Sequence, residues 1–241
     1  IDNKEKDKDM EVHIKPKDNK EYKIKLFLYE FFIIFLAVSL SFFVENIRER
    51  YIDHHKEMQY IRSLANDIKI DTLELSNIIL RNKEQFKGID TLLKKIEDPK
   101  SPERTVNYIY YYSSRYLNSL NIFIHTDRTM TQLKNAGGLR LIQNKAVSDS
   151  IVNYDALVKD AEGMGDLCLK FFYDLSGHQR EMLDLKVLRM TEFNSMLTNP
   201  NLKLLNSDEK SINIYYNNAL YYGYLLANYK NKLVIVKKHA I

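Results

Sequence analysis

The run KLFLYEFFIIFLAVSLSFFVENIRER, residues 25–50, constrains this chain more than any other, because its apolar core over 26–44 is interrupted by a single carboxylate, Glu30. As an α-helix this core rises about 28 Å, close to the roughly 30 Å of hydrocarbon in a bilayer. Phe27, Phe31, Phe32, Phe35, Phe42 and Phe43 point all around such a helix. That suits lipid contact better than the one-sided burial of a globular helix. A secretory signal carries a shorter apolar region and a small-residue cleavage site. Here a Lys- and Asp-rich tail precedes the run and Glu45, Asn46, Ile47 and Arg48 follow it. The segments therefore read as a charged tail over 1–24, an uncleaved anchor over 25–46 and a helical extramembrane domain over 47–241.

Orientation follows from the flanking cations. Lys15, Lys17, Lys20, Lys23 and Lys25 precede the anchor, against Arg48, Arg50 and Lys56 after it. The positive-inside rule then predicts a cytoplasmic N-terminus and an external or periplasmic C-terminal domain.

Beyond the anchor, no proline or glycine occurs between Glu45 and Phe86, so the helix is expected to continue unbroken. Alternating steps of three and four from Val44 pass through Ile47, Tyr51, His54, Met58, Ile61, Ala65, Ile68, Thr72, Leu75, Ile79, Asn82, Phe86, Ile89, Leu93 and Ile96, mostly apolar. The same register run backwards reaches Leu40, Ala37, Ile33 and Glu30. Tyr60, Leu64, Leu73, Leu80 and Leu92 widen the stripe, which favours packing within one chain over a two-stranded coiled coil.

Pro99 and Pro102 end this helix. A second is expected over 103–122, and a third capped by Thr126 or Asp127, running to Asn135 and stopping at Gly137 and Gly138. A fourth runs from Asn144 to about 174, with Ser176 and Gly177 as an interruption before a helix over 178–189. A last one runs from a Ser207 or Asp208 cap to about Lys238. With seven Gly, four Pro and 45% hydrophobic residues in 241, the fold class is all-α: a single N-terminal transmembrane helix continuing into a long helix, then an antiparallel helical bundle.

Two stretches carry a resemblance. In YKIKLFLYEFFIIFLAVSLSFFVENIRER, Glu30 opens an apolar run, Ala37 is a small residue in its middle, and Asn46 and Glu49 mark an Arg-rich exit. In MTQLKNAGGLRLIQNKAVSDSIVNYD, the pattern is Leu133, Gly137, Leu139, Ile142, Ile151 and Tyr154. Together they resemble an uncharacterised family of bacterial single-pass membrane proteins, abundant in Bacteroidota and known as a domain of unknown function. The family's mid-helix glycine is Ala37 here, and its tryptophan after the span is Ile47. The resemblance implies a membrane location and an all-α external domain, and it implies no activity.

Few residues suggest chemistry. A single cysteine, Cys168, excludes an intramolecular disulfide and the paired-cysteine zinc signatures, and reads as a small buried thiol. Six histidines are scattered without metal-helix spacing, so no metal, cofactor or catalytic site is expected and the chain does not read as an enzyme. The formal charge of +4 is spread without a basic stripe, which argues against nucleic acid as a partner.

Three features remain. Glu30 lies about one turn inside the span, where it can reach a lysine or head group; Ala37 and Ser41 share its face, where close helix approach would place it in an oligomer interface. Tyrosines cluster at Tyr108, Tyr112 and Tyr116 and again at Tyr215, Tyr222 and Tyr229. Helix packing with hydroxyls at the rim is the first reading of these rings. A partner surface through Tyr108, Tyr112, Tyr215 and Tyr222 is the second.

The sequence thus predicts a membrane-anchored helical scaffold or interaction protein, with the bilayer and either further copies of itself or other membrane proteins as partners. The alternative is an ion-conducting or energising, stator-like subunit using Glu30.

Overall fold

The scarcity of helix breakers is realised directly in the structure, a computed structural model that describes residues 20–98, 102–190 and 192–240. The described residues are all-α. Six helices occur in the order α1 (Lys20–Glu97), α2 (Pro102–Tyr116), α3 (Arg128–Asn135), α4 (Lys145–Met182), α5 (Leu185–Met190) and α6 (Glu209–His239), with 3-10 turns at Gly138–Leu141 and Phe193–Leu197. Residues 1–19 of the charged tail, and Pro99 in the break after α1, lie outside the described residues.

The chain divides into two units, residues 1–54 and 55–241. In the first, the described part is the leading stretch of α1, exposed throughout its apolar run. α1 is the one helix among the described residues long and apolar enough to cross a membrane, and none of its apolar window is buried.

The second unit is a bundle around the later part of α1, α2, α4 and α6. Glu97 meets Tyr216 and Gly223 faces Ile89 and Phe86, so α6 runs antiparallel to α1. Asp160 meets Lys232 and Phe172 faces Tyr222, which makes α4 and α6 antiparallel as well. On α6 the fully buried positions are Tyr215, Ala219, Tyr222, Leu226, Tyr229 and Leu233, a four-three repeat that lays one stripe against its neighbours. They pack with Leu75, Ile89 and Leu92 of α1, Ile109 and Tyr110 of α2, and Val158, Ala161 and Cys168 of α4. A smaller core joins Leu64 of α1 to Met130, Leu133, Ile142 and Ile151.

Several boundaries depart from expectation. α2 stops at Tyr116, and residues 117–127 are irregular. Ser176 and Gly177 do not interrupt α4, because Leu175, Gln179 and Met182 keep its buried face in phase across them and packing overrides the weak local propensity. The stop after α3 is as expected, with Gly137 at a φ of 63°, a left-handed conformation that a Cβ disfavours. Asp208 caps α6 by accepting the Ser211 N–H at 2.9 Å.

The buried seam of α1 meets the expected one at Leu75, Asn82, Ile89 and Leu93 and elsewhere lies one residue before it, at Glu57, Leu64, Asp67, Asp71, Ile78, Gln85 and Leu92, with Gly88 also buried. Met58 and Phe86, on the expected seam, are exposed, as are Leu73 and Leu80 of the widened stripe. An apolar template misses the strip where it turns polar, because Glu57, Asp67, Asp71 and Gln85 are buried one residue before its positions and each finds a partner only through the fold.

Candidate functional site

Those polar members build the centre of the bundle. Asp67, 1% exposed, accepts hydrogen bonds from the Thr129 N–H at 3.3 Å and from the Thr129 hydroxyl, and pairs with Arg128 at 2.9 Å. Asp127 stands at the N-cap of α3 but its side chain makes no cap bond, so Asp67, from a different helix, satisfies the orphan donor there. Asp71, equally buried, accepts the Thr126 N–H at 2.8 Å and the Tyr154 hydroxyl at 3.0 Å. Glu57 accepts the Gln143 N–H at 2.7 Å just before α4. Three carboxylates of α1 therefore hold the segment in which Leu133, Gly137, Leu139, Ile142, Ile151 and Tyr154 form the second sequence motif. The only linear signal for them is an acid beside the apolar seam at 57, 67 and 71, which by itself reads as a solvated helix flank.

The tyrosines divide. Tyr215 and Tyr222 are fully buried, so they form core and cannot present a partner surface. Their hydroxyls are not at a rim either. Tyr215 bonds Ser113, Tyr222 lies 3.5 Å from the Gln85 amide, and Tyr229 accepts the Phe123 N–H at 2.8 Å. Burial raises the pKa of all three, that of Tyr229 to about 12. Tyr108 and Tyr112 remain half-buried: the Lys95 ammonium sits 5.1 Å from the Tyr108 centroid, and the Tyr112 and Tyr116 rings stack at 5.9 Å.

Tyr112 and Tyr116 form one wall of an open groove of about 730 Å³, whose other wall is α1 from Arg81 to Thr91. Its floor is organised by Gln85, 3% exposed, whose amide donates to the carbonyls of Tyr116 (2.8 Å) and Ser119 (2.6 Å) and whose oxygen accepts from Asn121 (3.2 Å). Gly88 completes the floor, with the Tyr116 ring lying where a side chain would project.

On the exposed leading part of α1, Glu30, Ala37 and Ser41 fall within about 40° of one another around the helix axis. The Ser41 hydroxyl donates to the Ala37 carbonyl at 2.8 Å, so it is satisfied within its own helix. The two small side chains leave a shallow notch bordered by Val38, Phe42 and Glu45. Cys168 is buried, and burial pushes its thiol up to about 12. Among the described residues no group of three His, Cys, Asp or Glu gathers as a metal site. No family model, curated protein or solved structure matches the chain.

Proposed function

We propose that this protein is a single-pass, membrane-anchored helical scaffold or interaction protein that works in a larger membrane assembly or as an oligomer. The observation that carries the reading is the wholly exposed apolar window of α1, since soluble proteins rarely leave an apolar patch of that extent in water. The energetics agree. Fourteen Leu, Ile, Phe and Val residues lie within 26–44, and at about −0.3 to −0.6 kcal/mol each they favour insertion by roughly 4 to 8 kcal/mol. A charged carboxylate at the bilayer centre opposes this by roughly 3 kcal/mol, and less near an interface, so Glu30 does not prevent spanning. The preceding lysines support a cytoplasmic N-terminus and an external domain, and the two resembling stretches support membership of the Bacteroidota family, and with it a bacterial inner membrane and a periplasmic location for that domain. The reading assigns no reaction to the bundle.

The test is fractionation of the full chain expressed in bacteria. It should stay with membranes through alkaline carbonate and be released by detergent, whereas deletion of 25–46 should make it extractable. Recovery of the full chain in the soluble fraction refutes the anchor. The stator-like alternative draws on Glu30 facing the same way as the notch at Ala37 and Ser41. Glu30→Gln keeps shape and hydrogen bonding but removes the titratable charge. A scaffold role predicts that the variant assembles normally and shows none of the phenotype that deletion of the chain produces; loss of function at normal abundance and assembly would favour ion handling.

A further inference from the structure

The groove between α1 and α2 has a chemistry that the scaffold reading does not use. Arg81 and Lys87 stand on the α1 wall and Arg115 on the α2 wall, with Glu84 the one acid among them. Among the described residues, none of the three cations pairs with a carboxylate. Arg115 is held instead by rings, 5.6 Å from the Tyr116 centroid and 5.8 Å from that of Phe193. A guanidinium pre-oriented on an aromatic face and beside the Tyr116 and Tyr111 hydroxyls keeps further N–H donors for a planar or tetrahedral anion.

The remaining surface is equally suited to a ligand. Tyr112 and Tyr116 stack nearly parallel, at 22°, and offer a flat apolar face to a ring. The floor is fixed rather than loose, because Gln85 ties residues 116, 119 and 121 to α1. A volume of about 730 Å³ lies within the range of small-molecule sites.

We infer that this groove binds a small organic phosphate, with the phosphate between Arg81, Lys87 and Arg115 and a flat ring or sugar body against Tyr112 and Tyr116. Arginine suits the phosphate because its fork donates two parallel charge-assisted hydrogen bonds. Glu84, which also lines the groove, opposes an extended run of negative charge, which favours a compact phosphate head over a polyanion such as nucleic acid. The inference is independent of the membrane reading, since the groove lies wholly within residues 81–121.

The test is calorimetric titration of the full chain in detergent micelles with AMP, adenosine, inorganic phosphate and glycerol 3-phosphate. AMP should bind saturably and about ten-fold or more tighter than inorganic phosphate, and adenosine should bind at least ten-fold more weakly than AMP. Arg115→Gln and Arg81→Gln should each lower AMP affinity about ten-fold with unchanged helicity and melting temperature, whereas Lys170→Gln, far along α4, should not. Glycerol 3-phosphate, a soluble lipid head group, distinguishes the source: tighter binding than AMP would place the phosphate on a lipid and overturn the role of the tyrosine rings. No saturable binding of any phosphate probe at millimolar concentration, or equal affinity in the Arg81→Gln/Arg115→Gln double variant, would overturn the site.

Discussion

Replacing Asp71 by Ala should be among the most damaging single changes in the bundle, and its size can be worked from the contacts. The carboxylate is 1% exposed and receives two donors, the Thr126 N–H at 2.8 Å and the Tyr154 hydroxyl at 3.0 Å. Truncation strands both, and a buried donor left without a partner costs about 1 to 3 kcal/mol. The expected loss is therefore roughly 2 to 6 kcal/mol, against a typical total of about 5 to 15 kcal/mol. Asp71→Asn keeps one acceptor for Thr126 and presents an amide to Tyr154, whose oxygen can accept, so about 1 to 2 kcal/mol is expected. Tyr154→Phe alone removes one donor. In the double variant Asp71→Ala/Tyr154→Phe that donor is no longer stranded, so the cost should fall short of the sum by about 1 kcal/mol or more. Urea titration of the full chain in micelles, followed by helical circular dichroism, reads all four. An Asp71→Ala variant within 0.5 kcal/mol of the parent, which is about the additivity error of such cycles, would show that the carboxylate does not hold the α3 segment to α1.

Three further predictions follow from single sites. Gly88→Ala places a methyl where the Tyr116 ring lies, so it should cost about 1 to 3 kcal/mol and displace the ring, seen as altered tyrosine near-ultraviolet dichroism. Cys168 is buried with a thiol raised to about 12; it should resist maleimide at pH 7 in the folded chain and react after denaturation. Burial opposes ionisation of Asp155, but hydrogen bonds and charge from Lys134 and Lys159 outweigh it and hold its pKa below the usual carboxylate value. A depressed folded pKa gives stability present above the unfolded value, near pH 4, and lost as pH falls below it; Asp155→Asn should flatten that part of the acid-unfolding curve.

What the sequence revealed was what is local. The exposed apolar helix over 26–44, the Gly137 stop and the Asp208 cap depend on residues within a few positions of each other, and each appears where its chemistry placed it. The seam of α1 was legible at Leu75, Ile89 and Leu93 but missed one residue away at Asp67, Asp71 and Gln85, which look like solvent-facing residues until partners more than thirty positions away supply their hydrogen bonds. Tyr215 and Tyr222 pack between helices as their first reading expected, but with their hydroxyls inside the core instead of at its rim. A ring at every seventh position is consistent with a surface or a core, and only Ser113 and Gln85, from other helices, decide for the core. The groove had no linear signature at all, since its walls are Arg81 and Arg115 and its floor is set by Gln85 across an irregular segment.

The central claim is that the apolar part of α1 crosses a bilayer. Its most direct test places single cysteines at two exposed positions, Lys20→Cys before the run and Asn135→Cys at the end of α3, with buried Cys168 as a silent background. A membrane-impermeant maleimide is then applied to spheroplasts and to lysed membranes. The account predicts labelling of Asn135→Cys in intact spheroplasts and of Lys20→Cys only after lysis. Labelling of both positions from the same side would contradict a spanning helix.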